Sequence, residues 1–168
     1  MLALGILVRL WIWAALLRAL KHLVPLPKLV TLARVHPPNA APRGEEFERR
    51  LANYLERRDR FPFRAPGNCL ERSLGAYRLL CARGRRPSLV VGISLQRPGP
   101  EPRAQSPEPK AQSLSVRGHV WVEVHGRPFG ERAGDLEGFT RVVTFDAEGN
   151  QRTVGGFSGA LSAIRMGS

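Results

Sequence analysis

The chain has 168 residues, 43% of them apolar, with a formal net charge of +12 and a pI near 11.4. That length and composition fit one domain with a real core and exclude wholesale disorder. The charge admits nucleic acid, anionic lipid or an acidic peptide as partner; the arginines form no single stripe with interleaved aromatics, which argues against nucleic acid.

Residues 1–24 are strongly apolar but are interrupted by Arg9, Arg18 and Lys21. The uncharged stretches between them run to about eight residues, short of the roughly eighteen to twenty that a bilayer span needs. No small-residue cleavage site follows, and Lys28 and Arg34 come next, which argues against a cleaved signal peptide. Three readings of this helix stay open: packed on the domain, lying at a membrane surface, or spanning. Trp11 and Trp13 suit either an interface or a core. Pro25 and Pro27 end the helix, a second short helix is expected over 28–35, and 36–44 is a linker.

Residues 45–60 place Phe47, Leu51, Tyr54 and Leu55 on one helical stripe. A tight connection, 61–67, leads into a helix starting at Cys69. Asn68 and Glu71 have the spacing of a capping box. Cys69 then occupies the first helical position, where unpaired backbone N–H groups and the helix dipole favour a thiolate, the nucleophilic form. Leu70, Leu74, Tyr77 and Cys81 share another face, so Cys81 reads as core. Gly84 closes the helix. The two cysteines lie twelve residues apart, a rise of about 18 Å, so they do not pair. No metal-type Cys/His spacing occurs, and no metal or cofactor is expected. This is the cysteine usage of a reduced, cytoplasmic protein.

Residues 88–95 read as a buried strand, 97–112 as a mobile loop rich in Pro, Ser and Gln, and 117–125 as a second strand. In that strand His119, Trp121, Glu123 and His125 point one way, and Val120, Val122 and Val124 the other. Gly126-Arg127 makes a turn, 141–146 is a third strand, and 146–150 turns again. The tail 151–168 is expected to be weakly ordered. A thiol and an imidazole brought together by the fold suffice for covalent acyl transfer, with a third group orienting the imidazole. The acids that follow are Glu131, Asp135, Glu137 and Asp146, and spacing alone does not choose among them. His22 and His36 have no partners in the pattern.

These residues carry a resemblance. Asn68-Cys69-Leu70-Glu71-Arg72-Ser73-Leu74, then Tyr77-Arg78-Leu79-Leu80, Gly84, Leu89-Val90-Val91-Gly92-Ile93, and Gly118-His119-Val120-Trp121-Val122-Glu123-Val124 with Gly126-Arg127-Pro128, resemble the transglutaminase-like cysteine proteases of lasso peptide biosynthesis, the leader-cleaving B proteins. The resemblance covers roughly 44–145. It implies an α+β, papain/transglutaminase-like fold: a Cys at a helix N-terminus packed on a small antiparallel sheet, preceded by N-terminal helices. The implied division is 1–43 apolar helical segment and linker, 44–150 protease domain, and 151–168 tail. It also implies a triad of Cys69 as nucleophile, His119 as base, and an acid twelve residues further on. That acid is typically Asp in the family and is Glu131 here, with Asp135 in reserve. The long Pro-rich loop is a second departure. The implied partners are a precursor peptide, a small leader-binding protein and an ATP-dependent macrolactam cyclase, with membrane contact through 1–24 left open. An acyltransferase or amidase on the same triad, or a membrane-associated scaffold without catalysis, are the competing readings.

Overall fold

The structure, a computed structural model, describes residues 4–35, 44–56, 69–96, 115–132 and 134–153. Expectations for 36–43, 57–68 (with Asn68 and the connection 61–67), 97–112 and the tail beyond 153 lie outside the described residues.

Among the described residues four helices precede a five-stranded antiparallel sheet, the α+β arrangement expected. They are α1 (Leu4–Leu20), α2 (Leu26–Ala33), α3 (Glu45–Glu56) and α4 (Cys69–Cys81). The strands are β1 (Ser88–Gln96), β2 (Ser115–Val124), β3 (Arg127–Phe129), β4 (Thr140–Phe145) and β5 (Gln151–Thr153), in spatial order β3-β2-β1-β4-β5. Two strands were not foreseen. The turn is His125-Gly126, both at positive φ (53° and 74°), as a two-residue hairpin turn requires. Arg127 therefore opens β3 against Val124 rather than completing the turn. Pro128 is tolerated there because β3 is an edge strand. After β4, the Asp146 carboxylate accepts from the backbone N–H groups of Glu148 and Asn150 at 3.0 and 2.8 Å. That turn returns Gln151–Thr153 onto Phe145–Val143, so the first residues of the expected tail are a strand.

The helices share one core with the sheet. Leu10, Ala14 and Leu17 of α1 and Leu29, Val30 and Ala33 of α2 belong to the same buried cluster as Leu74, Tyr77, Val120, Val122 and Val143. Of the readings left open for the N-terminal helix, packing on the domain holds for its inner side. At the α1–α4 crossing a Cβ on Gly75 would lie 2.7 Å from Leu10 Cδ1, so a glycine permits the close approach. Among the described residues no helix is long and apolar enough to cross a membrane.

α4 ends as expected. Gly84 takes φ 72°, and the Arg85 N–H reaches back to the Leu80 carbonyl at 3.0 Å, closing a Schellman-type cap. At its start the Glu71 carboxylate is buried and paired with Lys21 Nζ at 3.0 Å, which ties the end of α1 to α4.

Candidate active site

β3 is only three residues long and pairs with β2 from Val122 to Val124. The backbone of Val120 lies beyond the end of that pairing, and α4 takes it. Ser73 Oγ donates to the Val120 carbonyl at 2.8 Å, and the Val120 backbone N–H hydrogen-bonds the Cys69 sulfur. The first turn of α4 therefore sits against the exposed edge of β2 at the level of His119. Buried backbone groups must find partners, and here this demand sets the position of the thiol.

His119 is hydrogen-bonded to Cys69. His119 Nε2 also lies 3.4 Å from Glu131 Oε2. The ring is walled by Trp121, stacked at 6.1 Å and 19° between planes, and by Phe139, tilted at 5.3 Å. Trp121 is in turn held by its indole N–H to Glu123 Oε1 at 2.9 Å, and Arg141 pairs with the same oxygen at 2.7 Å. The alternation in β2 is as expected. The outward face, however, is covered: Trp121 and Glu123 are buried, and Gly92 on β1 makes room for the indole, since a Cβ there would lie 2.6 Å from it.

Of the acids that follow His119, Glu131 is the one beside it. Asp135 instead accepts from the Arg132 backbone N–H at 3.1 Å in the next turn. Asp146 holds the β4–β5 turn. Glu131 is aimed by its neighbours: Gly130, at φ 69°, packs under Leu55 of α3, and Arg132 Nε donates to the Glu56 carbonyl at 3.0 Å.

One residue of the cluster escaped the sequence reading. Arg72, three residues after Cys69 and on the same side of α4, is ion-paired with Glu131; the two side chains are only 5% and 3% exposed. Its spacing from Cys69 was the available signal, but Arg is the common basic residue of this chain and nothing singled it out.

The electrostatics favour an ion pair. Burial raises the Cys69 thiol, but the His119 hydrogen bond, the Val120 N–H and the charges of His119 and Arg72 outweigh it and hold the thiol below its ordinary range. Burial lowers His119, yet its bonds to Cys69 and Glu131 prevail and push it up to about 9. Cys81 shows the contrast: buried, it is pushed up to about 11, mainly by desolvation. Among the described residues no group of three His, Cys, Asp or Glu side chains could hold a metal.

A half-buried thiol at a helix start, bonded to a strand histidine that a carboxylate backs, has a known setting. The family model described as transglutaminase-like superfamily matches residues 10–103. The chain belongs to the transglutaminase-like superfamily. The matched stretch runs from within α1 through β1 and includes Cys69 and Arg72; His119 and Glu131 lie beyond it. It begins earlier than the 44–145 over which the motifs were traced, in keeping with a transglutaminase-like core that includes the N-terminal helices. No curated protein and no solved structure matches the chain.

Proposed function

We propose that this transglutaminase-like protein is a cytoplasmic cysteine peptidase that removes the leader from a ribosomally made lasso peptide precursor. The single observation that carries the chemistry is the Cys69–His119–Glu131 cluster, with a lowered thiol and a raised imidazole. The Cys69 thiolate attacks the carbonyl carbon of the leader–core bond. Backbone N–H groups of the first turn of α4, which have no intrahelical acceptor, stabilise the oxyanion that forms. The His119 imidazolium gives its proton to the leaving amine, the C–N bond breaks, and a thioester to Cys69 remains. Neutral His119 then takes a proton from water, whose oxygen attacks the thioester. The acid product leaves, and the thiolate–imidazolium pair is restored. Glu131 orients the ring, and Arg72 supplies the counter-charge that a buried carboxylate needs.

The lasso peptide assignment rests on the motif residues around Cys69 and His119. It brings with it a leader-binding protein that presents the precursor and an ATP-dependent cyclase that closes the macrolactam. The test uses purified protein, a matched precursor and its leader-binding protein, read by mass spectrometry. Wild type yields leader and core; Cys69→Ala yields neither, with an unchanged thermal melt. Cleavage retained in Cys69→Ala excludes the assignment. Membership of the superfamily also favours acyl transfer to an amine as a second reading. Product mass separates the two, because hydrolysis adds water and transfer adds the amine.

A further inference from the structure

α1 buries one side and leaves much of the other exposed among the described residues, where the Trp11 indole N–H reaches the Tyr54 hydroxyl of α3 at 3.4 Å. Leu10, Ala14 and Leu17 face the core, whereas Val8, Trp11, Ile12 and Leu16 are 48%, 52%, 65% and 45% exposed. At 100° per residue these four occupy one arc of roughly 140° opposite the core side. Arg18 and Arg9 stand at its two edges. The patch is concentrated: of the eight large apolar side chains exposed among the described residues, six lie between Val8 and Leu32. Contiguous exposed apolar surface of this kind marks an interaction site.

The charge along the segment that carries it has one sign. Residues 1–35 contain Arg9, Arg18, Lys21, Lys28 and Arg34 and no Asp or Glu; the first acid is Glu45. Lys21 is used internally by Glu71, whereas Arg9 and Lys28 are exposed. A cleft of about 370 Å³ between α1 and α4 opens beside Ile12 and is lined by Arg9, Trp13 and Arg78. The Arg78 guanidinium lies 4.3 Å over the Trp13 ring. The buried Trp13 indole N–H has no acceptor among the described residues. Two arginines lining a cleft beside an apolar face suit an anionic headgroup next to acyl chains.

We propose that the outer face of α1 docks on an anionic lipid bilayer. Val8, Trp11, Ile12 and Leu16 enter the boundary between headgroups and acyl chains, and the exposed Arg9 and Lys28 reach the phosphates. The helix lies on the surface: it is 17 residues long, carries an arginine on each flank and has its inner face committed to the core. The inference does not depend on the chemistry at Cys69.

The test is flotation of the full chain with vesicles of phosphatidylcholine alone and of phosphatidylcholine with an equal part of phosphatidylglycerol. The protein is expected to float with the anionic vesicles and to be released by high salt. Ile12→Gln combined with Leu16→Gln lowers the partition coefficient at least tenfold. Arg9→Gln lowers it about fivefold, the weight of one basic residue at such a surface. Both sets of substitutions are at exposed sites and leave the thermal melt and the reactivity of Cys69 unchanged. Failure to float, equal binding to both vesicle types, or undiminished binding by the variants overturns the proposal. So does a lipid-free dimer that the Gln pair converts to monomer, since the face would then belong to a second copy.

Discussion

Cys69 and His119 depart from their ordinary acidities in opposite directions, and each shift depends on the other. Their pH behaviour follows with a definite sign. Activity rises with pH as the Cys69 thiol ionises, on a limb below the ordinary thiol range. It falls again as the His119 imidazolium, needed to protonate the leaving amine, loses its proton near 9. A kcat/KM profile against pH is therefore a bell with its basic limb close to 9. Arg72 adds a second expectation. Its charge helps hold the Cys69 thiol down and it pairs with Glu131. Arg72→Met should lower kcat by about ten- to a hundredfold, the usual weight of such a supporting partner, and move the acidic limb upward. Arg72→Lys, which keeps the charge and loses the forked geometry, should restore the limb more than the rate. A purely structural arginine would leave the limb in place.

At the scale of elements, the site depends on what holds the segment carrying Glu131. A Cβ on Gly130 would lie 2.8 Å from Leu55 Cβ, at a φ that side chains rarely adopt. Gly126 has a similar φ with open space around it. Gly126→Ala should thus cost only backbone strain, on the order of 1–3 kcal/mol, and leave kcat unchanged. Gly130→Ala should cost more and also lower kcat, because it displaces Glu131 from His119. Denaturant melts and turnover numbers on the two variants check the difference. The contrast between strands explains what could be read in advance. β2 showed its strict alternation, and Leu51 and Leu55 of α3 are buried as their stripe required. β3 and β5 are three residues each, too short to show a period, and are defined by pairing rather than by burial. Glu131 came from the resemblance; its contact with His119 depends on α3, far away in the chain, so spacing could not select it over Asp135.

The whole molecule is organised around α4. One side meets Leu10 of α1, another packs Leu74 and Tyr77 among the sheet valines, and its first turn closes the bare edge of β2. Fold class and the thiol–imidazole pairing were legible because they rest on strong local patterns. The sharing of the core by α1 and α2 was not, since an apolar helix reads alike whether it meets protein or lipid, and α1 borders both protein and open surface. The central claim is that this scaffold makes one of two cysteines a thiolate. The most direct measurement is the rate of iodoacetamide alkylation at pH 6–7, resolved by peptide mapping. Cys69 should react faster than a model thiol and lose that advantage in His119→Ala, while Cys81 stays unmodified until the protein unfolds. A Cys69 rate no greater than that of the model thiol, or one indifferent to His119, would contradict the account.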